Sequence, residues 1–542
     1  MPLQKVLTAI SGYALPSYTF TRSSSGYQVD ADGVLRLKST DQLRIDYLDL
    51  DNDGERETPS IVVELASTNE FTRSIEFSHS TWAKVAATVE ANVGAAPDLS
   101  TQADLLVPST ASAQHYISQA GIGVAASTDH AFSVYASPAG YNFLALEVLN
   151  SSGNNGAAAL FELTSSGAVA DTLTIGAGTH RRSHIERVRP GAYRCTLTAG
   201  ISTSTSATGY ILVAQTSAQI ASNWAGGGSS AGLGVLLWGA QLEEAMPAET
   251  SLIATSAATL SRAADTLYIP FPYTPREMTL YIKMVERGTA ARAAGDSVIH
   301  IGSATGSAAP ALDVYFPTGG AGYSVLYNGD ADDTQATLAA APSVGQIVEL
   351  RSVFYANGGV LIGQSLDAAA ETTASDAAGA AMAAAWAAER LYIMSAGATN
   401  QGMNRVLSVT VAEGVQSMAY MRSLAPFFVI DGIAIPVDDG SVREDRVEIG
   451  DRERTFDGTL RETIRSQVSV WQAETPPLTV GDRNRVAQAL EKSTQPHTSY
   501  GAMTRTSTGL LPAVFSRKTG EALVQSSTDR RYSLAFTIEQ SS

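Results

Sequence analysis

Apolar residues recur at every second position in short runs along most of the chain. Residues 131–135 (Ala-Phe-Ser-Val-Tyr), 143–148 (Phe-Leu-Ala-Leu-Glu-Val) and 210–213 (Tyr-Ile-Leu-Val) are examples. A period of two puts alternate side chains on opposite sheet faces, so each run predicts a half-buried strand. The first 66 residues carry such runs at 18–22, 26–30, 34–37, 43–47 and 61–65, with Asp32-Gly33 a turn signal between two of them. From 67 to 252 the runs continue between Gly, Ser and Asn breaks, and the unbroken apolar stretch 233–242 predicts a strand buried on both faces. Many short strands separated by turn signals argue for a sandwich over a βαβ fold.

Between 253 and 425 a second set appears, at 278–285, 298–301, 312–316, 348–354, 391–393 and 406–411. The Ala-rich stretch 368–388 lies between strands and predicts a long surface loop with some helix. Apolar residues at 415, 418, 421 and 424 predict a short amphipathic helix packed on the sheet. The last part, 426–542, is more charged, especially over 442–465. There a helix is expected around Val486–Leu490 with Thr479 as its cap, and residues 532–539 form a half-buried final strand. The expected fold is mostly β: tandem antiparallel β-sandwiches of jelly-roll type plus a small C-terminal α+β or split-barrel domain. Its expected units are a leader at 1–66, a first roll at 67–252, a second sandwich at 253–425 and a docking domain at 426–542.

A chain of 542 residues has room for three or four domains, and 44% hydrophobic against 16% charged residues is a folding composition, not a disordered one. The net charge of −17 argues against non-specific nucleic-acid binding, which needs excess Lys and Arg to displace counterions. It suits a neutral-sugar or protein partner. The single cysteine, Cys195, lies in an alternating run and is expected to be a buried thiol. The start, Met1-Pro2-Leu3-Gln4-Lys5, lacks a basic region followed by an apolar run, and no stretch reaches membrane-span length. Neither a signal peptide nor membrane insertion is expected.

Three stretches resemble virion proteins of tailed phages. The first comprises Phe20-Thr21-Arg22, residues 27–33, Arg44-Ile45-Asp46-Tyr47 and residues 63–69; it looks like the leader that precedes a carbohydrate-binding-like jelly roll. Thr81-Trp82-Ala83-Lys84 resembles the opening of that roll, and Trp238-Gly239-Ala240-Gln241-Leu242-Glu243 its close. Leu260-Ser261-Arg262-Ala263-Ala264-Asp265 is similar to the linker into a laminin-G-like or concanavalin-like sandwich. From Arg454-Thr455-Phe456-Asp457-Gly458 through Trp471 to the end, the chain looks like the split-barrel domain of phage tail-tip proteins. The resemblance implies a structural virion protein made in a host cytoplasm, in a tail or tail tip before a capsid decoration. Its implied partners are other virion proteins, copies of itself and host surface polysaccharide, with no enzymatic activity. A tail-associated polysaccharide-degrading enzyme and a lectin-like adhesin are the competing readings.

Several residues invite chemistry. Asp49, Asp51 and Asp53 alternate before Gly54, as in a calcium loop, but the twelfth position is Ser60 where a bidentate Glu is needed. An acidic hairpin turn is the preferred reading, and no other cofactor is expected. His180-Arg181-Arg182-Ser183-His184 reads as a solvated basic loop, since two His four apart chelate only on a helix. Sugar rings stack on flat side chains, so Trp224 with Asn223, and Tyr323 with Tyr327 near Gly319-Gly320, are candidate glycan contacts; Trp82 and Trp238 are expected in the core. Phosphate-loop and His-Glu-x-x-His signatures do not occur. Glu147 and Glu162 could converge as a glycosidase pair, but nothing in the pattern singles them out.

Overall fold

The computed structural model describes residues 5–8, 18–30, 32–50, 56, 58–165, 167–214, 216, 226–227, 232–246, 248–273, 277–287, 296–302, 311–317, 322–328, 333–377, 388–395, 403–415, 417, 418 and 421. In the C-terminal part it describes 427–430, 433–436, 443–454, 460–474, 478–479, 497–501, 510–525 and 531–540. Strand is by far the commonest element among these residues, arranged in antiparallel sheets consistent with β-sandwiches. No helix among them is long and apolar enough to cross a membrane.

The first roll is two six-stranded sheets face to face. One runs Thr179–Arg189, Ala192–Gly200, Asp129–Ala139, Gly234–Glu244, Ala103–Pro108, Ala87–Gly94 in spatial order. The other runs Ala168–Ile175, Gly156–Glu162, Phe143–Asn150, Ser206–Ala214, Tyr116–Gly123, Ala83–Val85. Strand parity supplies the core: Leu144, Leu146 and Val148 from one strand meet Phe132, Val134 and Ala136 from the other sheet, and Cys195 is buried among them. Burial pushes the Cys195 thiol well above its ordinary pKa, which fits a packed, unreactive side chain. Trp82 is fully buried, its ring 5.0 Å from Phe71 and 5.1 Å from Phe77, and its indole N–H donates to the Arg73 carbonyl at 3.0 Å.

Gly209 explains one small residue in this core. A Cβ there would lie 2.4 Å from Phe71 Cζ, and Phe71 is itself wedged against Phe132 at 5.1 Å. Gly209→Ala is therefore expected to destabilise the roll by about 1–3 kcal/mol through overpacking. A fall in the thermal unfolding midpoint checks this, and an unchanged midpoint would show that the ring moves aside freely.

Trp238 is buried elsewhere. It lies on the outer face of its sheet, beneath the hairpin formed by Gly26–Val29 and Leu35–Lys38. Gly239, at φ +63°, makes the bulge that lets Leu237 and Ala240 both face inward while Trp238 faces out. Tyr27 meets the Trp238 ring edge-on at 6.3 Å, and Leu35 and Val188 close the cluster.

The second sandwich takes strands from both sides of the first roll in sequence. Its eight-stranded sheet includes Met278–Val285, Ile347–Phe354 and Arg405–Glu413, and also Lys5–Thr8, Arg44–Leu48 and Thr58–Val62. The register sets Val6 opposite Thr410 and Ile61 opposite Val406. The facing seven-stranded sheet accepts Thr19–Thr21 along Thr266–Tyr273. Phe20, Ile61 and Val63 thus share one apolar core with Leu280, Val314 and Val409. The first roll is an insertion in this sandwich, and the chain passes between them along a two-stranded ribbon, Ser67–Asn69 against Leu260–Arg262.

Met418 and Met421 are helical and pack on Tyr281, as the spacing of apolar residues predicts. In the Ala-rich stretch, Thr372–Asp376 is a strand paired with Val360–Leu366 where a loop is expected; residues 378–387 lie outside the described residues. The C-terminal part contributes an eight-stranded antiparallel sheet, with Arg531–Gln540 between Leu510–Gln525 and Leu460–Glu474. Leu478–Thr479 forms a short strand, and the helix expected around Val486–Leu490 falls outside the described residues.

Candidate functional site

The residues singled out for binding fare differently. Asn223 and Trp224 lie outside the described residues, as do Asp51 and Asp53. Tyr323 and Tyr327 belong to the core of the second sandwich, not to a loop: positions 323, 325 and 327 share the inward face at the strand Ser324–Asn328. The Tyr323 hydroxyl donates to Glu286 at 2.5 Å and accepts from the Asn404 amide at 2.7 Å, and its ring stands edge-on to Phe316 at 5.2 Å. Neither tyrosine offers a ring face to a sugar here. Asp49 sits at the hairpin turn between Arg44–Leu48 and Thr58–Val62 and accepts a hydrogen bond from Arg187 at 3.0 Å. The described residues contain no cluster of three His, Cys, Asp or Glu side chains suited to a metal ion. The stretch 180–184 is not a solvated loop. It lies within the strand Thr179–Arg189, which exposes Arg181 and buries Arg182.

Ring faces occur instead on the outer face of the first roll's second sheet. Tyr116 and Tyr210 stack edge-on at 5.3 Å, with Phe143, Leu173 and Ile175 partly exposed around a floor of Ala145, Ala158, Leu160 and Leu212. Glu147 stands between Tyr210 and Ala158 in the register, and burial on this apolar face pushes its carboxyl up to about 7. Glu162 lies opposite Phe143, four residues further along the same face, a backbone span of about 13 Å. The carboxyl pairs of glycosidases lie roughly 5–9.5 Å apart. In the second sandwich the corresponding rings are covered: Arg390 lies 4.2 Å over the Tyr268 ring, and Tyr392, 5.5 Å from Tyr268, is buried.

The densest chemistry lies at the junction of the sandwiches, around the connecting ribbon. Glu64, which follows Thr58–Val62, is fully buried and takes Arg44 at 2.8 Å, Arg405 at 3.2 Å and Arg262 at 3.5 Å. Asp265, just beyond the ribbon, takes Arg44 at 2.5 Å, Arg22 at 3.5 Å and Arg262 at 3.8 Å. Ser251 donates both its backbone N–H and its hydroxyl to Glu64, at 3.0 and 2.9 Å. Burial alone would raise the Glu64 pKa, but Arg44, Arg262, Arg405 and Arg287 hold it well below the ordinary carboxylate range.

A second cluster ties the strand Thr179–Arg189 of the first roll to the second sandwich. Glu249 accepts from Arg182 at 2.9 Å and from Arg287 at 2.5 Å, so one carboxylate is held by a guanidinium from each sandwich. Arg56, in the hairpin turn, pairs with Glu186 and also donates to the Arg187 carbonyl at 3.0 Å. Arg405 reaches Asp46 at 3.0 Å. Burial works against the Glu249 charge, yet Arg287, Arg182 and Arg194 hold its pKa well below normal.

Between these pairs lies a cleft of about 220 Å³. Arg56, Arg182, Arg187, Arg287 and Arg405 line it, with His184 from the same strand as Arg182. Burial, and then the neighbouring Arg182 charge, lowers the His184 pKa to about 4, so its imidazole is neutral at pH 7. Asp49, Glu186 and Glu286 supply carboxylates, while Leu48, Leu50, Ile185 and Val285 supply apolar wall.

No protein-family model matches the chain, and no curated protein matches it. Among solved structures, tailspike protein 2 of Escherichia coli O157:H7 bacteriophage CAB120 aligns at 13% identity with a TM-score of 0.22, over 29% of this chain and 22% of the tailspike. The chain thus spans about a fifth of that protein. Domains LG4-5 of the mouse laminin alpha1 chain align at 11% identity with a TM-score of 0.20, over 57% of this chain and 89% of that one.

Proposed function

We propose that the chain is a structural component of a tailed-phage particle, placed at the tail or tail tip in preference to the head, that contacts host glycan and carries out no chemistry of its own. The observation that supports this most is the junction. Two sandwiches that a flexible linker could have joined are instead interleaved in sequence and locked by buried, shared carboxylates. Such a joint holds two modules at a fixed angle, as a particle component that transmits force requires. Residues 426–542 would dock to the particle and the sandwiches would face the host. Weak sugar contacts would gain strength from copy number, and symmetric assembly would supply the copies.

Gold-labelled antibody against the chain, imaged on intact particles by electron microscopy, tests the placement. Label at the tail end is expected. Label over the head would make the protein a capsid decoration, and bare particles would overturn the virion reading. The absence of chemistry has its own check: release of reducing sugar from host polysaccharide, abolished by changing one carboxylate, would make the protein a depolymerase.

The ring faces on the first roll give the glycan part a measurable form. Changing Tyr116 and Tyr210 together to Ala is expected to weaken retention on immobilised host polysaccharide several-fold, because stacking of sugar on aromatic faces is lost. Both rings are only partly buried, so the fold is expected to survive the change. Undiminished retention would place sugar contact on another surface.

A further inference from the structure

We propose that the outer face of the first roll's second sheet selects sugars that carry a free, protonated amino group, with the ammonium seated between Glu147 and the rings of Tyr116 and Tyr210. The choice of a sugar rests on the glycan-contacting reading above; the choice of an amine rests on this face.

Charge comes first. The register turns Glu147, Glu162 and Asp171 outward, opposite Ala158, Phe143 and Leu160. The other outward positions of the described strands, from Ala83 and Val85 at one edge to Leu173 and Ile175 at the other, are apolar, Gly, Ser, Thr or Tyr. Among the described residues this face therefore carries three carboxylates and neither Lys nor Arg. Two of the three have local partners: Glu162 accepts from the Thr164 hydroxyl at 2.7 Å, and Asp171 from the Thr172 N–H at 2.8 Å. Glu147 has no hydrogen bond or ion pair from its side chain among the described residues.

The surroundings of Glu147 narrow the ligand. It stands between Tyr210 and Ala158, cross-strand neighbours whose Cβ atoms lie about 4.5–5.5 Å away in such pairs. Tyr116 is one diagonal step further, its ring 5.3 Å from that of Tyr210. The Tyr210 phenol feels the carboxylate: burial first, then Tyr116 and Glu147, push its pKa up. A carboxylate among apolar and aromatic side chains with no cation beside it is costly, and burial pushes the Glu147 pKa up to about 7. An incoming ammonium removes that cost, because it gives Glu147 a counter-charge and the tyrosine rings a cation. A calcium ion would need roughly six to eight oxygens, and the described residues hold no group of three acidic, His or Cys side chains that could share one. An ammonium needs one carboxylate and a flat ring. Glu162 lies about 13 Å further along the same face, within reach of a second amino group on the same oligomer.

Isothermal titration of the full chain at physiological salt tests the site with three sugars that differ only at C2: the β-1,4-linked trimers of glucosamine, N-acetylglucosamine and glucose. Trilysine is the competing cation. The glucosamine trimer is expected to bind about tenfold more tightly than the other two. Glu147→Gln keeps the shape and removes the charge, and is expected to bring the glucosamine trimer down to the level of the others; Glu147→Leu, which suits the apolar face, serves should the glutamine variant misfold. Equal binding of the three trimers overturns the proposal. So does an amine preference that survives both variants, which is what general attraction to a chain of net charge −17 would give. Trilysine binding as tightly as the glucosamine trimer would assign the face to a protein ligand and overturn the choice of a sugar. The glycan reading fails separately: a chain that ignores all three trimers yet is retained on host polysaccharide loses only the amine, whereas loss of retention as well removes both.

Discussion

Glu64→Ala is expected to lower the unfolding free energy of the two-sandwich body by about 3–5 kcal/mol, the cost typical of breaking a buried ion pair from one side. The size follows from what the carboxylate holds. Three guanidiniums, of Arg44, Arg262 and Arg405, converge on it, and all four side chains are almost wholly removed from water. Without Glu64, the carboxylate left to Arg44 and Arg262 in this cluster is Asp265, and that left to Arg405 is Asp46. The backbone N–H and hydroxyl of Ser251 lose their acceptor as well. Urea unfolding followed by tryptophan fluorescence measures the loss. Arg36→Ala, which breaks the exposed Arg36–Asp30 pair at 2.9 Å, is the control and is expected to cost under about 1 kcal/mol. If the two variants lose equal amounts, the junction is not what holds the sandwiches together.

Acid is expected to open the same joint in two stages. The His184 pKa is depressed to about 4 in the folded protein, against about 6.5 in an unfolded chain. Below pH 6.5 the unfolded state takes up a proton that the folded state refuses, so the contribution of this group to stability falls as pH drops from 6.5 to 4, by up to about 3 kcal/mol. The groups facing this imidazole set the shift: Arg182 and Arg287 disfavour its charge, Glu249 and Glu186 favour it, and burial outweighs them all. The second stage belongs to Glu64 and Glu249, whose folded pKa values lie well below normal. Their stabilisation is complete above the ordinary carboxylate pKa and is lost as pH falls through the lower folded values. Unfolding midpoints of the wild type and His184→Gln between pH 8 and 3 separate the stages. Glu147, titrating near 7, adds the same opposite slope to both, so the stability difference between variant and wild type is expected to grow in the variant's favour between pH 6.5 and 4, and the steep fall below that range is expected in both. A difference that stays constant from pH 6.5 to 4 would remove His184 from the account.

Much of the fold was legible because a period of two is a local signal. Residues 278–285 read as one strand and are the strand Met278–Val285; residues 532–539 fall within Arg531–Gln540. The turn at Asp32-Gly33 was legible too, since Gly33 adopts φ +72° within its hairpin. Pairing across long distances has no such local mark. Nothing around residues 5–8 or 58–62 says that their partner lies at 405–413.

The site was less legible for a related reason. Arg44, Asp46, Glu64 and Asp265 alternate with apolar residues just as solvent-facing strand residues do. Only the second sandwich packed against the first roll turns their side of the strand into an interior. Arg182 was hidden in the same way inside a run that reads as a basic surface. Tyr323 and Tyr327 mislead in the opposite direction, because neighbouring glycines suggest a loop while strand parity carries both rings inward.

The insertion of the first roll also fixes an order of events at the ribosome. The hairpin of Arg44–Leu48 and Thr58–Val62 is made early, yet the strand that its Thr58–Val62 arm joins, Arg405–Glu413, is made about 340 residues later. At roughly 5–20 residues per second, these early strands wait on the order of 20–70 s with unpaired edges, while the inserted roll can complete its own two sheets. During that interval the nascent chain carries a finished module between two halves of an unfinished one. High sequence separation of this kind slows closure and leaves strand edges open to other chains. Where copies are made side by side, that interval is the stage at which neighbouring chains can exchange their early strands.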